Sequence, residues 1–414
     1  MPFCSITTRA ARPAICLHWS ALLLFGSLLR GQELRPLTPY GNGGHDAIQS
    51  DGDGTSGHEL HYGPVGGHLT FTSSLIYDDN INIEPDHKVA DLVWKFSPGI
   101  TIGAGDYLRQ ENSWVTFDYA PTFVIFAKNS QDNAIDQNAR LNFEWKPANW
   151  TFGLTQDYLR LSEPVVEVGD RVERESYDTH FHARYEYSPK TAFELDASQS
   201  INDYPAPFFS YNLWTVSAWA DYWITPKIKL GLGALGGLMT ISGNPGQSYE
   251  QALARAEYDM SENVEFQGFA GGERREFDGG FPVKWNYTFS LGANVQVTPN
   301  TGLSFNAYRR DENSLIAVGQ NYTVTGLSAS VRQVVFAKYT LSLTGGYDHT
   351  DYYTTEAVAG TRLRYDYFFV RPSLICQITN QFVLELFYQY QKNDSQAGNA
   401  FVDDQAGLQL TYHF

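Results

Sequence analysis

The sequence predicts an all-β fold: a transmembrane, up-and-down antiparallel β-barrel of about 18 strands, within a range of roughly 16 to 20. Three observations carry that prediction. From about residue 67 to the end, long segments alternate apolar and polar residues. Aromatic residues make up 15% of the chain although its mean hydropathy is below zero. Short turns alternate with longer polar loops at a regular spacing. All three follow when one sheet face meets hydrocarbon and the other meets water, because only every second residue then has to be apolar.

The alternation is visible strand by strand. Val283, Trp285, Tyr287, Phe289, Leu291, Ala293, Val295 and Val297 share one face, and Lys284, Asn286, Thr288, Ser290, Asn294 and Gln296 share the other. Tyr177, Phe181, Ala183, Tyr185 and Tyr187 oppose Asp178, His180, His182, Arg184 and Glu186. Phe382, Leu384, Leu386, Tyr388 and Tyr390 oppose Glu385, Gln389 and Gln391. Gly326 and Ser373 interrupt the pattern and are expected to mark bulges. A sheet in lipid must pair all its backbone groups, so it has to close on itself.

The punctuation sets the strand count. Short turns fall at Lys146–Asn149, Ser188–Lys190, Thr225–Lys227, Ser261–Asn263, Thr298–Asn300, Phe336–Lys338 and Thr379–Gln381, with an eighth near Gly105–Asn112. Their Pro, Asn, Ser and Thr residues are turn formers. Longer loops fall over stretches such as Asp78–Lys88, Lys128–Gln137, Glu163–Arg174, Arg310–Gln320 and Lys392–Asp403. Short turns on the periplasmic side and longer loops outside are the outer-membrane asymmetry. No long loop suited to fold into the channel is evident. Trp145, Trp150, Tyr187, Trp223, Tyr339 and Phe414 sit near the short turns, and Tyr77, Tyr158, Tyr177, Tyr347 and Tyr390 near the long loops. Two such belts bracket a lipid-facing band.

Three segments follow. Residues 1–31 read as a signal peptide, with Arg9 and Arg12 ahead of the apolar stretch Trp19–Leu29. That stretch is shorter than the ~20 residues a spanning helix needs. Residues 32–66 are rich in Gly, Asp and His and lack periodicity, as a flexible periplasmic leader or a plug would. Asp51-Gly52-Asp53-Gly54 begins like a calcium loop, but Ser56 and Tyr62 stand where Gly and Glu are required. Residues 67–414 form the barrel. Cys4 and Cys16 leave with the signal, so Cys376 has no partner for a disulfide. The net charge is −17, and −20 without Arg9, Arg12 and Arg30, which argues against a nucleic-acid partner.

A barrel of this size encloses water unless something fills it. The expected lumen lining includes Lys95, Asp118, Arg140, Glu144, Asp178, His180, His182, Arg184, Glu194, Asp196, Lys284, Arg310 and Glu385. Such a wall either selects ions, with acids in excess favouring cations, or pairs its own charges across the lumen. His180 and His182 share a strand face, a spacing that suits a metal, but no second pair of ligands is visible, so a polar wall is the expected reading. Asp348-His349 lacks a nucleophile motif nearby. No catalytic, cofactor or metal residue is therefore assigned, and the protein is not expected to be an enzyme.

Two resemblances add to this. The final strand places Leu410, Tyr412 and Phe414 on one face and ends on a free aromatic, and it resembles the strands that barrel assembly machinery reads in bacterial outer-membrane proteins. Ser73-Ser74-Leu75-Ile76-Tyr77-Asp78-Asp79-Asn80-Ile81 and Lys95-Phe96-Ser97-Pro98-Gly99-Ile100 resemble the beta-barrel porin 2 family. That resemblance, over about Gly67 to Phe414, implies a porin-like barrel in the bacterial outer membrane that passes small hydrophilic solutes of unestablished identity. Related barrels occur beside exopolysaccharide and exosortase systems, which implies the alternative of an export or surface-assembly component. The partners implied are outer-membrane lipids, the assembly machinery, small hydrophilic solutes and a periplasmic protein met through residues 32–66.

Overall fold

The computed structural model describes residues 60–317, 319–354, 363–395 and 398–414. The segments expected as a signal peptide, 1–31, and as a leader, 32–66 apart from its last residues, lie outside them. The described chain is a closed ring of 18 antiparallel staves. In order they are β1 Val65–Asp78, β2 Asp91–Gly105, β3 in two pieces (Trp114–Tyr119 and Thr122–Phe126), β4 Ala134–Trp145, β5 Trp150–Leu161 and β6 Arg174–Ser188. Next come β7 Thr191–Asp203, β8 Tyr211–Thr225, β9 Ile228–Ile241, β10 Gln247–Ser261, β11 Val264–Phe277 and β12 Lys284–Thr298. The last six are β13 Thr301–Asn313, β14 Gln320–Val335, β15 Tyr339–Thr354, β16 Arg364–Gln377, β17 Phe382–Ser395 and β18 Phe401–His413. The ring closes where β1 pairs with β18, from Thr70↔His413 to Asp78↔Gln405. No described helix is long and apolar enough to cross a membrane; the crossing is made by strands.

Every unbroken stave has 12 to 16 residues, more than the ~9–11 a tilted strand needs to span the hydrocarbon. β3 breaks at Ala120-Pro121, because Pro121 has no N–H to give to the ladder. Leu60–Tyr62 adds a short strand against the start of β1.

Five of the short turns share one device. A Ser or Thr hydroxyl accepts the backbone N–H two residues on: Ser188 from Lys190, Thr225 from Lys227, Ser261 from Asn263, Thr298 from Asn300 and Thr379 from Gln381, at 3.2–3.3 Å. The side chain imitates a backbone turn and fixes register at once. The register bulges also lie at these turns, at Glu186/Ser188, Trp223/Thr225, Asp259/Ser261 and Gln296/Thr298. Neither expected bulge is one. β14 keeps register through Gly326 with both neighbours. Around Ser373 the β16–β17 pairing pauses beside Pro372 and resumes with no offset. The strands also run into stretches expected as loops, over 310–313, 392–395 and 134–137.

The outer face carries the apolar band: Leu195, Val216, Leu232, Leu291, Phe305, Leu327, Leu386 and Leu408 are all exposed. Trp145, Trp150, Tyr187, Tyr339 and Phe414 ring its periplasmic edge, and Tyr77, Tyr177, Trp285 and Tyr347 its outer edge. Trp223 does not belong to that ring. It faces inward beneath Arg184 and Lys229, and Tyr222 takes its place outside. An apolar outer band with aromatic edges on a closed sheet is the architecture of an outer-membrane barrel.

Candidate functional site

The lumen wall is built in rows that run across the strands, because partners at one height share a face. One row is Asp118–Arg140–Asp157–Asp178–Ser200 over β3 to β7. Arg140 Nε donates to Asp157 Oδ1 at 2.5 Å, Thr101 donates to Asp118 at 2.6 Å, and Asp178 accepts from Ser176 and Ser200 at 3.0 and 2.5 Å. The next row runs Glu144–Gly153–His182–Asp196–Ser217. Glu144 pairs with Lys146 at 2.6 Å, and His182 Nδ1 meets Asp196 Oδ1 at 2.8 Å. His180 Nε2 lies 3.4 Å from the same Asp196 oxygen.

Below these sits a ladder of four charges. Arg255 grips Asp221 through Nε–Oδ1 at 2.9 Å and Nη2–Oδ2 at 2.5 Å, and reaches Glu194 at 3.1 Å. Arg184 reaches Glu194 at 3.4 Å. Arg371 holds Glu385 at 3.1 Å, and Arg310 Nε donates to Glu312 at 2.5 Å. The expected charged residues thus pair with one another or with neighbours rather than standing free. Sequence reasoning missed Arg255 because its stretch is inverted: small Ala252, Ala254 and Ala256 face lipid while larger Leu253 faces in.

The outer mouth overturns one expectation: a loop does fold inward. Residues 162–173, between β5 and β6, cross the lumen to the far wall. On the way Glu163 takes Lys95 of β2 at 3.2 Å, and Arg171 covers the Phe126 ring. At the far side the buried Glu167 accepts from Ser314 Oγ at 2.6 Å, from the Leu315 N–H at 3.1 Å and from Tyr352 Oη at 2.9 Å. Asn399, before β18, donates to the Val166 and Glu167 carbonyls at 2.8 and 3.0 Å. Burial pushes the Glu167 carboxyl up to about 7, against the pull of those hydrogen bonds and with help from nearby Glu312. The crossing loop is short, with no periodicity or length to reveal it; its one signal is Val165-Val166 next to an acid in a polar loop.

Other loops lean in as well. Ile83, fully buried, packs with Tyr367, Phe369, Phe401 and Val166. Phe209 N–H donates to Leu315 O, and Gly319 N–H to Asn244 Oδ1. Behind them β13 leaves the wall. Its pairing with β12 stops at Phe289↔Arg309, so residues 284–288 keep only β11 and residues 310–313 only β14. The freed ends of β13 to β15 overlap the inside of β10 to β12. Asn286 Nδ2 reaches Asp311 at 2.6 Å, Lys284 reaches Asp311 at 3.6 Å, and Gln247 exchanges hydrogen bonds with Asn321 at 2.7 and 3.0 Å. Tyr308, Tyr322, Val324, Tyr352 and Tyr365 cluster on the opposite face of these ends, packed against Val166 of the crossing loop.

The Tyr77-Asp78-Asp79-Asn80 stretch sits at the barrel seam. Asp79 Oδ1 accepts the Asp404 N–H at 2.7 Å, Gln405 donates to Asp78 at 3.0 Å, and Asn80 donates to the Glu84 and Val402 carbonyls at 2.9 and 3.1 Å. Those residues lock the closure of the ring. Leu410, Tyr412 and Phe414 lie on the outer face at the periplasmic end of the same seam, with Tyr412 against Phe382 and Phe414. Asp348 and His349 face opposite sides of the sheet: Asp348 accepts from Tyr308 inside, and His349 meets Asp366 outside.

No family model matches this chain, and no curated protein matches its sequence. Among solved structures it is similar to Pseudomonas aeruginosa OccK3 (OpdO), at 14% identity and TM-score 0.45, over 84% of this chain and 95% of that one. It is similar to Acinetobacter baumannii OccAB3 at 10% identity and TM-score 0.47, over 84% and 99%. P. aeruginosa OccD3 (OpdP) gives 12% identity and TM-score 0.45, over 87% and 93%. Likenesses this distant assign no residue a role.

Proposed function

We propose that this protein is a bacterial outer-membrane channel for small hydrophilic solutes, shut at rest by its own 162–173 loop. The observation that carries the reading is the polar, internally paired lumen wall continuing up to a mouth latched by Glu167. Paired charges solvate a path without binding one solute strongly. A self-latched mouth favours a gated channel over an always-open pore, and it leaves room for the second reading: a barrel opened by an export or assembly partner through residues 32–66. Kinship with the beta-barrel porin 2 family fits either. So does delivery by the assembly machinery through Leu410, Tyr412 and Phe414. A transporter is favoured over an enzyme because the adjacent Asp348 and His349 point to opposite sides of the sheet and do not act together.

The test is planar-bilayer conductance of the refolded chain, with and without residues 163–172 replaced by a short Gly-Ser turn. The intact chain is expected to open rarely and the loop-less chain steadily. A loop-less barrel that is folded yet passes no ions would sink the channel reading.

A further inference from the structure

The inner wall between β6 and β7 holds a group of side chains that the channel reading leaves unused. His182 and Asp196 are direct cross-strand partners, so their side chains meet. Glu194 lies two residues before Asp196 and therefore on the same face. One nitrogen or oxygen from each of His182, Glu194 and Asp196 lies within 4.8 Å of the others, and all three residues are buried. His180 Nε2 stands 3.4 Å from Asp196 Oδ1 at the edge of the group.

Two further features point to a ligand. His182 Nε2 is buried without a hydrogen-bond partner, although its side chain is only 3% exposed. A buried imidazole nitrogen in that state is costly unless something binds it. The local charge is also uneven. Asp196, Glu194 and Asp221 face Arg184 and Arg255, leaving one negative charge in excess. Glu194 has only single contacts to Arg184 and Arg255, while Asp221 holds Arg255 through two bonds. A cation that takes Glu194 would exchange its two single arginine contacts, while Arg255 keeps both bonds to Asp221.

We propose that His182, Asp196 and Glu194, with His180 alongside, form a site for a divalent transition-metal ion of the zinc class in the lumen wall. The donor set decides the class. Imidazole nitrogen with two carboxylates suits zinc-like ions. Calcium and magnesium call for six or more oxygens in a shell this group does not supply. Three protein ligands leave a fourth coordination position open. Binding here stands whether or not the barrel conducts.

The experiment is Zn2+ titration of the full chain refolded in detergent, by calorimetry against excess Mg2+, with His182→Ala, Asp196→Asn, Glu194→Gln and His180→Ala compared. Heat-modifiable gel migration checks that each barrel is folded. Histidines also stand at 45, 58 and 61 as competing zinc donors, so the readout is the difference between wild type and variant. His182→Ala and Asp196→Asn are each expected to remove one equivalent or weaken it at least tenfold. Glu194→Gln should weaken it less and His180→Ala least. Co2+ in place of Zn2+ should give visible absorption that His182→Ala abolishes. Asp196→Asn keeps the side chain's shape and carries the test if His182→Ala does not fold. Identical Zn2+ stoichiometry and affinity in wild type and the folded variants, or displacement by equimolar Mg2+, overturns the proposal.

Discussion

On β17 the inward side chains change character along one strand. Glu385 and Phe387, nearer the periplasmic turn, are half-buried, whereas Gln389, Gln391 and Asn393 toward the outside are almost wholly buried. β10 repeats the gradient from Glu257 and Arg255 to Tyr249 and Gln247. The alternation and the polar composition are the same at both ends. The difference is what lies against the wall: water at the periplasmic end, and folded loops with the overlapping ends of β13 to β15 at the outer end. A barrel wall has no core of its own, so packing in the lumen is decided by whatever folds onto it.

The largest effect is expected where the two halves meet. Arg255→Met strands Asp221 and Glu194 with only the longer contacts of Arg184, and should cost about 3 kcal/mol or more in urea unfolding of the refolded barrel. An unchanged midpoint would mean that this part of the lumen is as wet as the periplasmic end.

The latch comes next. A carboxyl raised to about 7 in the closed mouth returns to an ordinary value of about 4.3 when the loop swings into water. Its protonated form therefore favours closure. The closing contribution is complete below about pH 4.3 and is lost as pH rises through about 7, a span on the order of 3 kcal/mol. Open probability should rise roughly a hundredfold between pH 5 and pH 9. Glu167→Gln, uncharged at every pH, should stay shut and flatten the profile. A mutant whose profile matches wild type would place the pH sensor elsewhere.

A pair of glycines compares the halves directly. A Cβ at Gly326 would meet Asp348 Oδ1 at 2.1 Å and the Tyr308 ring at 2.5 Å, so Gly326→Ala should cost about 1–3 kcal/mol. At Gly302, in the periplasmic half, the nearest atom is Gln296 Oε1 at 3.4 Å, and Gly302→Ala should shift stability by less than about 0.5 kcal/mol. Equal costs in denaturant unfolding would erase the contrast. The smallest effect belongs to Arg160→Ala: Arg160 pairs with Glu173 at an exposed rim, and neither unfolding nor conductance should move measurably.

Much of the wall was readable because it is local. Period two assigned Val283–Val297 to one face, and Ser-Pro-Lys or Thr-Pro-Asn marked the turns, so the strand number followed. Trp223 was misassigned because its neighbour Tyr222 is also aromatic and a bulge at Trp223/Thr225 shifts the parity toward the turn. Gly326 looked like a defect, yet it is the space that lets Tyr308 reach Asp348. The ladder was half legible: Arg184 and Glu194 follow from alternation, while Arg255 hides behind alanines.

The sequence by itself determined the 18-stave ring, its short-turn side and its lipid-facing band, since each depends only on a residue's neighbours and on which solvent it meets. The tertiary structure alone decided that residues 162–173 cross the mouth, that Glu167 lies against Ser314 and Tyr352, and that His182 and Asp196 gather beside Glu194. Those contacts join residues whose meeting depends on ring closure and cross-strand register, and neither leaves a periodic trace in the chain.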